Sequence, residues 1–185
     1  YSKLNVKMVG SDPGVMAQLN GGTHMSLEDV ALMRAIPTMT VVEPVDGVQL
    51  ASLFPQIAEH NGPVYIRLIR KSSEMVYEEG ESFELGKAKV INEGKDVSIF
   101  CTGIMVKEAI EARELLLAEG IDASVVNIHT IKPIDAEAII KEAKRTGAVV
   151  TAENHNIING LYVIEGVEIY THDMWLFFNY FLIIF

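Results

Sequence analysis

The sequence predicts an α/β protein: two doubly wound units with mainly parallel sheets covered by helices. Three observations carry this. Short β-branched runs alternate with longer amphipathic stretches twice along the chain, the βαβ rhythm of a parallel sheet covered on both faces. That rhythm lapses once, over the acidic, turn-rich segment SSEMVYEEGESFELG (72–86), which is therefore expected to link unit 1–71 to unit 87–160. Finally, a polar, Gly-rich loop, SDPGVMAQLNGGTHM, follows the first strand, at the edge where open α/β sheets bind ligands.

The elements follow in order. Val6 to Val9 reads as a short apolar strand entering the Gly-rich loop. Ser26, with Asp29 three residues on, has the spacing of a capping box and predicts the start of a helix. Val30, Ala31 and Arg34 continue it at helical spacing, and Pro37 stops it. The positive end of that helix is expected to point at Thr23 and His24. Thr38 to Val42 is a β-branched run between prolines and predicts a buried parallel strand. Asp46 caps the next helix, in which Pro55 should produce a kink or a restart, and Pro63 to Leu68 is the following strand.

In the second unit, Lys87 to Ile91 precedes a turn at Asn92 to Gly94, and Val97 to Cys101 is a strand. Val106 to Ala118 predicts a helix burying Ala109, Ile110, Leu116 and Leu117, closed by Gly120. Ala123 to Ile128 is a strand, Pro133 and Asp135 open a helix over Ala136 to Arg145, and Ala148 to Ala152 is a further strand. Asp135 is read as a helix cap.

With 185 residues, 49% of them hydrophobic, there is material for one large or two small cores. A formal charge of −10 argues against nucleic acid or an anionic membrane surface as a partner. The lone Cys101 lies in the apolar run VSIFC, which suits a small core residue in a reducing cytoplasm. Both ends read as cut. The chain begins at Tyr1 on a loop entering a strand, and 8 of its 14 aromatics (7 Phe, 6 Tyr, 1 Trp) fall in residues 161–185. This apolar, aromatic tail has a final run, Met174 to Phe185, too short to span a bilayer. A frameshift or truncation near Gly160 is the leading expectation for it, with a buried terminal strand pair as the alternative.

Two side chains stand out chemically. His24 follows two glycines and a threonine at the mouth of a helix, where an imidazole can face a cleft and exchange a proton. Arg70 lies just past the carboxyl end of a strand, and its planar fork matches a phosphate bidentately. Arg67, inside the strand, reads as packing or interface. Glu153 and His155, at a strand exit, read more readily as a subunit interface than as a site.

The blocks GGTHMSLEDVALMRAIPTMTVVEPVDG, VYIRLIRK, DVSIFCTGIMVKEA, NIHTIKPID and VVTAENHNIINGL, in this order, resemble the transketolases over roughly residues 1 to 160. The first unit resembles the C-terminal part of the pyrimidine-binding domain, and 87–160 an incomplete transketolase C-terminal domain. The resemblance implies transfer of a two-carbon ketol unit between sugar phosphates, with thiamine diphosphate and Mg held mainly by residues outside this chain. It implies a catalytic role for His24 near the cofactor's reactive carbon, and sugar-phosphate binding by Arg70. It also implies an N-terminal transketolase portion or subunit as partner in a homo- or hetero-oligomer, and inactivity of the isolated chain. Two substrate positions depart from the family's usual pattern: Asp12 stands where a histidine is common, and Asn20 where an aspartate is common. That puts ordinary pentose phosphates in doubt and favours another ketose or a modified sugar phosphate. The alternatives are a related thiamine-diphosphate enzyme (deoxyxylulose-phosphate synthase or the beta subunit of a 2-oxoacid dehydrogenase) and a non-catalytic assembly module of the same fold.

Overall fold

The computed structural model describes residues 2–70 and 74–161. The tail expected to be aberrant lies, apart from Leu161, outside these residues, as does Lys71. The first sheet is built from β1 (Lys7–Ser11), β2 (Thr40–Val42) and β3 (Val64–Leu68), all parallel, in the order β1-β3-β2. The second contains β4 (Lys89–Asn92), β5 (Val97–Cys101), β6 (Ala123–Asn127) and β8 (Val149–Ala152), in the order β4-β6-β5-β8. There β5 is parallel to both neighbours, and β4 runs antiparallel at the edge.

One strand crosses between the units. The residues after β6 turn back as β7 (Thr130–Lys132) and add antiparallel to β2 of the first sheet. The Glu43 amide donates to His129 O at 2.8 Å and extends that pairing, while Lys132 Nζ donates to Arg34 O and Ile36 O, both at 2.7 Å. The sequence pattern ends the preceding strand at Ile128 and does not announce β7. Three residues make too short a run to announce a strand, and this one exists because β2 offers an unpaired edge.

The helices show which local signals decided. Helix α2 (Gly47–Glu59) begins where expected, with Asp46 Oδ1 accepting from the Gln49 amide at 2.9 Å. Pro55 neither ends nor restarts it: the helix runs through the proline, and Ala51, whose carbonyl loses its usual partner, is exposed to solvent. Helix α3 (Met105–Ala118) buries Val106 and Ala109, half-buries Ile110 and Leu116, and exposes Leu117, which had been assigned to the packed side. Helix α4 (Ala136–Thr146) is capped by Asp135, which accepts from Ala138 N at 3.2 Å, and Gly147 ends it at φ 76°.

Helix α1 (Asp29–Arg34) is the clearest departure. No side chain caps it, Ser26 is exposed, and six residues make too short a helix to aim a dipole at Thr23 and His24. Asp29 is instead drawn inward. Its Oδ2 accepts from Arg67 Nε and from Tyr65 OH, each at 2.8 Å, and its Oδ1 from Arg67 Nη2 at 3.0 Å. A capping acid and an ion-pairing acid look alike in sequence. Here the buried guanidinium outweighs a solvated cap.

The segment 74–86 is irregular in backbone but strapped down. Asp46 Oδ2 accepts from the Val76 and Tyr77 amides, both at 2.9 Å, and Phe83 N donates to Ser52 Oγ at 2.8 Å. Tyr77 and Phe83 then enter one core with Val42, Leu53, Ile57 and Ile66 of the first unit and Ile99, Cys101, Val106 and Val125 of the second. The two units therefore share a continuous apolar interior. Cys101 lies fully buried in it, its thiol pushed up to about 12 by burial, which fits a packing residue rather than a nucleophile.

Within this shared interior Arg67 has no solvent exposure on its side chain, and it pairs with Asp29 and, through Nη1, with Glu43 at 2.7 Å. Arg67→Met is expected to destabilise the chain by about 3–5 kcal/mol in urea unfolding, because it strands two buried carboxylates. His129 gives a pH signature. Burial, only partly opposed by Asp135, pulls its imidazole from 6.5 to about 4. Its protonation then favours the unfolded chain, so its contribution is complete above pH 6.5 and is lost as pH falls toward 4. Urea unfolding at pH 7.5 and 5 should show a loss of about 2 kcal/mol that His129→Gln lacks.

Candidate functional site

The Gly-rich loop leaves β1 and folds over the carboxyl edge of the first sheet. Asp12 N donates to Leu68 O at 2.8 Å, continuing the β1–β3 ladder by one bond, with Asp12 in the left-handed region at φ 55°. Two short 3₁₀ segments follow, Gly14–Asn20 and Gly22–His24. Together with Arg70 beyond β3 they enclose an open pocket of about 310 Å³ lined by Asp12, Met16, Leu19, Asn20 and Arg70. Three of the four residues singled out in the sequence thus meet in one place.

Asp12 and Arg70 are joined directly. Asp12 Oδ1 accepts from the Arg70 backbone amide at 2.8 Å, and Oδ2 accepts from Arg70 Nε. The Asp12 side chain is 9% exposed and that of Arg70 71%. One wall of the pocket therefore carries a buried carboxylate that holds a solvent-facing guanidinium by its stem. Asn20 is exposed and supplies an amide able to donate and accept.

His24 is exposed on the same loop but does not line this pocket. Its Nδ1 lies 3.0 Å from Thr23 Oγ1, which occupies one ring nitrogen and leaves Nε2 for a ligand. Among the described residues no group of three His, Cys, Asp or Glu could hold a metal ion.

What holds the loop comes from the other unit, at the exit of β8. Asn154 Nδ2 donates to Pro13 O at 3.0 Å and its Oδ1 accepts from Val15 N at 3.1 Å. Asn156 Nδ2 donates to Leu27 O at 2.6 Å, and His155 Nε2 accepts from Ala31 N at 3.3 Å. Glu153 Oε2 accepts from Leu161 N at 2.6 Å. Glu153 and His155, expected from the sequence at a subunit interface, make these bonds within the chain, where His155 is 4% exposed. Asn154 and Asn156 were missed. The polar cluster AENHN at a strand exit was the available signal, but which of its members touched the loop depended on how the two sheets pack.

Two family models match the chain: the transketolase pyrimidine binding domain over residues 1–75 and the transketolase C-terminal domain over residues 86–165. The chain belongs to the transketolase family, as these two matches in the family's order and the relatives below establish. Among curated relatives it is 60% identical, over 161 residues, to the 6-deoxy-6-sulfo-D-fructose transketolase subunit SqwH of Clostridium sp. (strain MSTE9), covering 87% of this chain and 50% of that protein. It is 46% identical to a putative transketolase C-terminal section of Methanocaldococcus jannaschii, covering 87% of this chain and 51% of the relative. A solved split-gene transketolase, described as an inactive β4 tetramer, superposes with a TM-score of 0.81 at 46% identity, over 87% of this chain and 52% of that one. The chain spans about half the length of these relatives.

Gly14 tests the packing of the loop. It has φ +54°, and a Cβ there would meet Asn154 Oδ1 at 2.2 Å. Gly14→Ala should cost about 1–3 kcal/mol in urea unfolding, and Gly22→Ala, with open space around it and no left-handed backbone to strain, clearly less.

Proposed function

We propose that this chain is the C-terminal part or subunit of a thiamine-diphosphate-dependent transketolase that moves a two-carbon ketol unit between sugars and requires an N-terminal portion for activity. The observation that carries the reading is the loop pocket itself. In a chain of this family it places Arg70, Asp12 and Asn20 around a space of sugar-end size at the carboxyl edge of a parallel sheet, with His24 on the same loop.

Within this reading the chain's own residues bind and orient sugar. Arg70 takes the terminal anion through its fork, Asn20 takes hydroxyls, and His24 Nε2 donates to, or accepts a proton from, a sugar oxygen as charge develops there. Thiamine diphosphate, with Mg, supplies the carbanion-stabilising chemistry when bound. We assign its metal site to the N-terminal partner. An anionic ketose is the proposed donor. The sulfonated ketose in the name of the 60%-identical relative makes a sulfo-sugar the first to try.

A second reading is a self-assembling module without chemistry. It is favoured by the inactive β4 assembly of the solved split-gene relative, and we extend that behaviour to this chain when it is alone. Co-expression with the N-terminal transketolase subunit of the same genome separates the two. The first reading expects a stable complex that binds thiamine diphosphate and releases a ketol-transfer product from 6-deoxy-6-sulfofructose or another ketose. A complex that forms yet neither binds the cofactor nor turns over any ketose would leave only the assembly module. In the active complex, His24→Ala should lower kcat/KM by about 10²- to 10³-fold while thiamine diphosphate binding stays intact.

A further inference from the structure

We infer that Asp12 sets the charge selectivity of the pocket, so that the Asp12–Arg70 pair suits a sugar terminus with one negative charge, such as a sulfonate, over one with two, such as a phosphate monoester. This rests on the transketolase reading and names the class of anion its pocket takes. Both Asp12 oxygens are committed, one to the Arg70 amide at 2.8 Å and one to Arg70 Nε, so the carboxylate cannot swing away from an entering anion. At 9% exposure its charge is poorly screened by water. The left-handed backbone at Asp12, φ 55°, is held by its bond to Leu68 O. The remaining lining residues, Met16, Leu19 and Asn20, are uncharged. Among the described residues the lining is therefore formally neutral, and none of them partners the guanidinium's terminal nitrogens.

The cost of removing an anion from water grows with the square of its charge, whereas the pull of a fixed field grows only in proportion to it. Asp12 cancels much of Arg70's pull. What remains suffices for a monoanion and falls short for a dianion. A sulfonate carries one charge at any working pH, while a phosphate monoester above its second pKa of about 6 carries nearly two. Replacing Asp12 by a neutral residue relieves repulsion in proportion to ligand charge, so the dianion gains more.

The test uses the complex with the N-terminal subunit at pH 8 and two ketoses with the same carbon skeleton, 6-deoxy-6-sulfofructose and fructose 6-phosphate. Both kcat/KM and Kd by titration calorimetry are measured. The wild type should favour the sulfonate, and Asp12→Asn and Asp12→Ser should each move the ratio toward the phosphate by about tenfold. Arg70→Met should weaken both anionic sugars. An unchanged ratio in a variant that still binds sugar, or a wild type that prefers fructose 6-phosphate, overturns the inference. Should neither variant fold, the wild-type Kd ratio decides alone. A wild-type complex that binds the two sugars with the expected preference but transfers no ketol unit would overturn the transketolase reading instead.

Discussion

A buried guanidinium organises this molecule. Arg67 emerges from the middle of β3 with its side chain sealed from water, which is tolerable only if carboxylates and carbonyls surround it. Asp29 from α1, Glu43 from the end of β2 and the Asn154 carbonyl, at 2.8 Å from Nη2, meet that need. The electrostatics agree: burial opposes the charged form of Asp29, yet the hydrogen bonds and charge of Arg67 win and hold its carboxyl below 3.8. The arrangement also reaches the second sheet. Thr102 Oγ1, at the exit of β5, donates to Glu43 Oε2 at 3.1 Å, and a Cβ on Gly103 would collide with Glu43. One ion cluster thus ties four strands and a helix, and it sits where the two units join.

That junction decides the shape of the pocket. The Gly-rich loop has little apolar surface of its own to bury, with Leu19 at 85% exposure. It is held by amide bonds from Asn154 and Asn156, which arrive on the β8 exit of the other unit. Those residues reach the loop only because the Asn154 carbonyl is pinned by Arg67 and the units share a core. The ligand edge of the first sheet therefore depends on the second unit, and the strand β7 adds a further tie by completing the β2 edge.

The pocket also gives the unusual residues of the loop a physical sense. Position 12 carries a carboxylate where the family commonly has a histidine. In the fold it is first a bidentate anchor for Arg70, fixing the guanidinium stem, while no described residue partners its outer nitrogens. Positioning and charge compensation come from the same two oxygens. Neither can be altered without the other.

Much of the architecture was legible from the chain. Strands such as Val97–Cys101, the Asp46 and Asp135 caps and the Gly120 helix end follow from short-range chemistry, because each signal and its partner lie within a few residues. The family was legible too, since its motifs are contiguous words. The candidate pocket was legible in part: Asp12, Asn20 and Arg70 could be named, but their meeting could not be derived. What local pattern could not decide was every choice between partners of equal local merit. Asp29 could cap a helix or pair with an arginine 38 positions away, His155 could face a subunit or Ala31, and Thr130–Lys132 could be loop or strand. Only the packing of two sheets on one core chose among them, because burial makes a charge or an open strand edge take the partner that tertiary structure brings within reach.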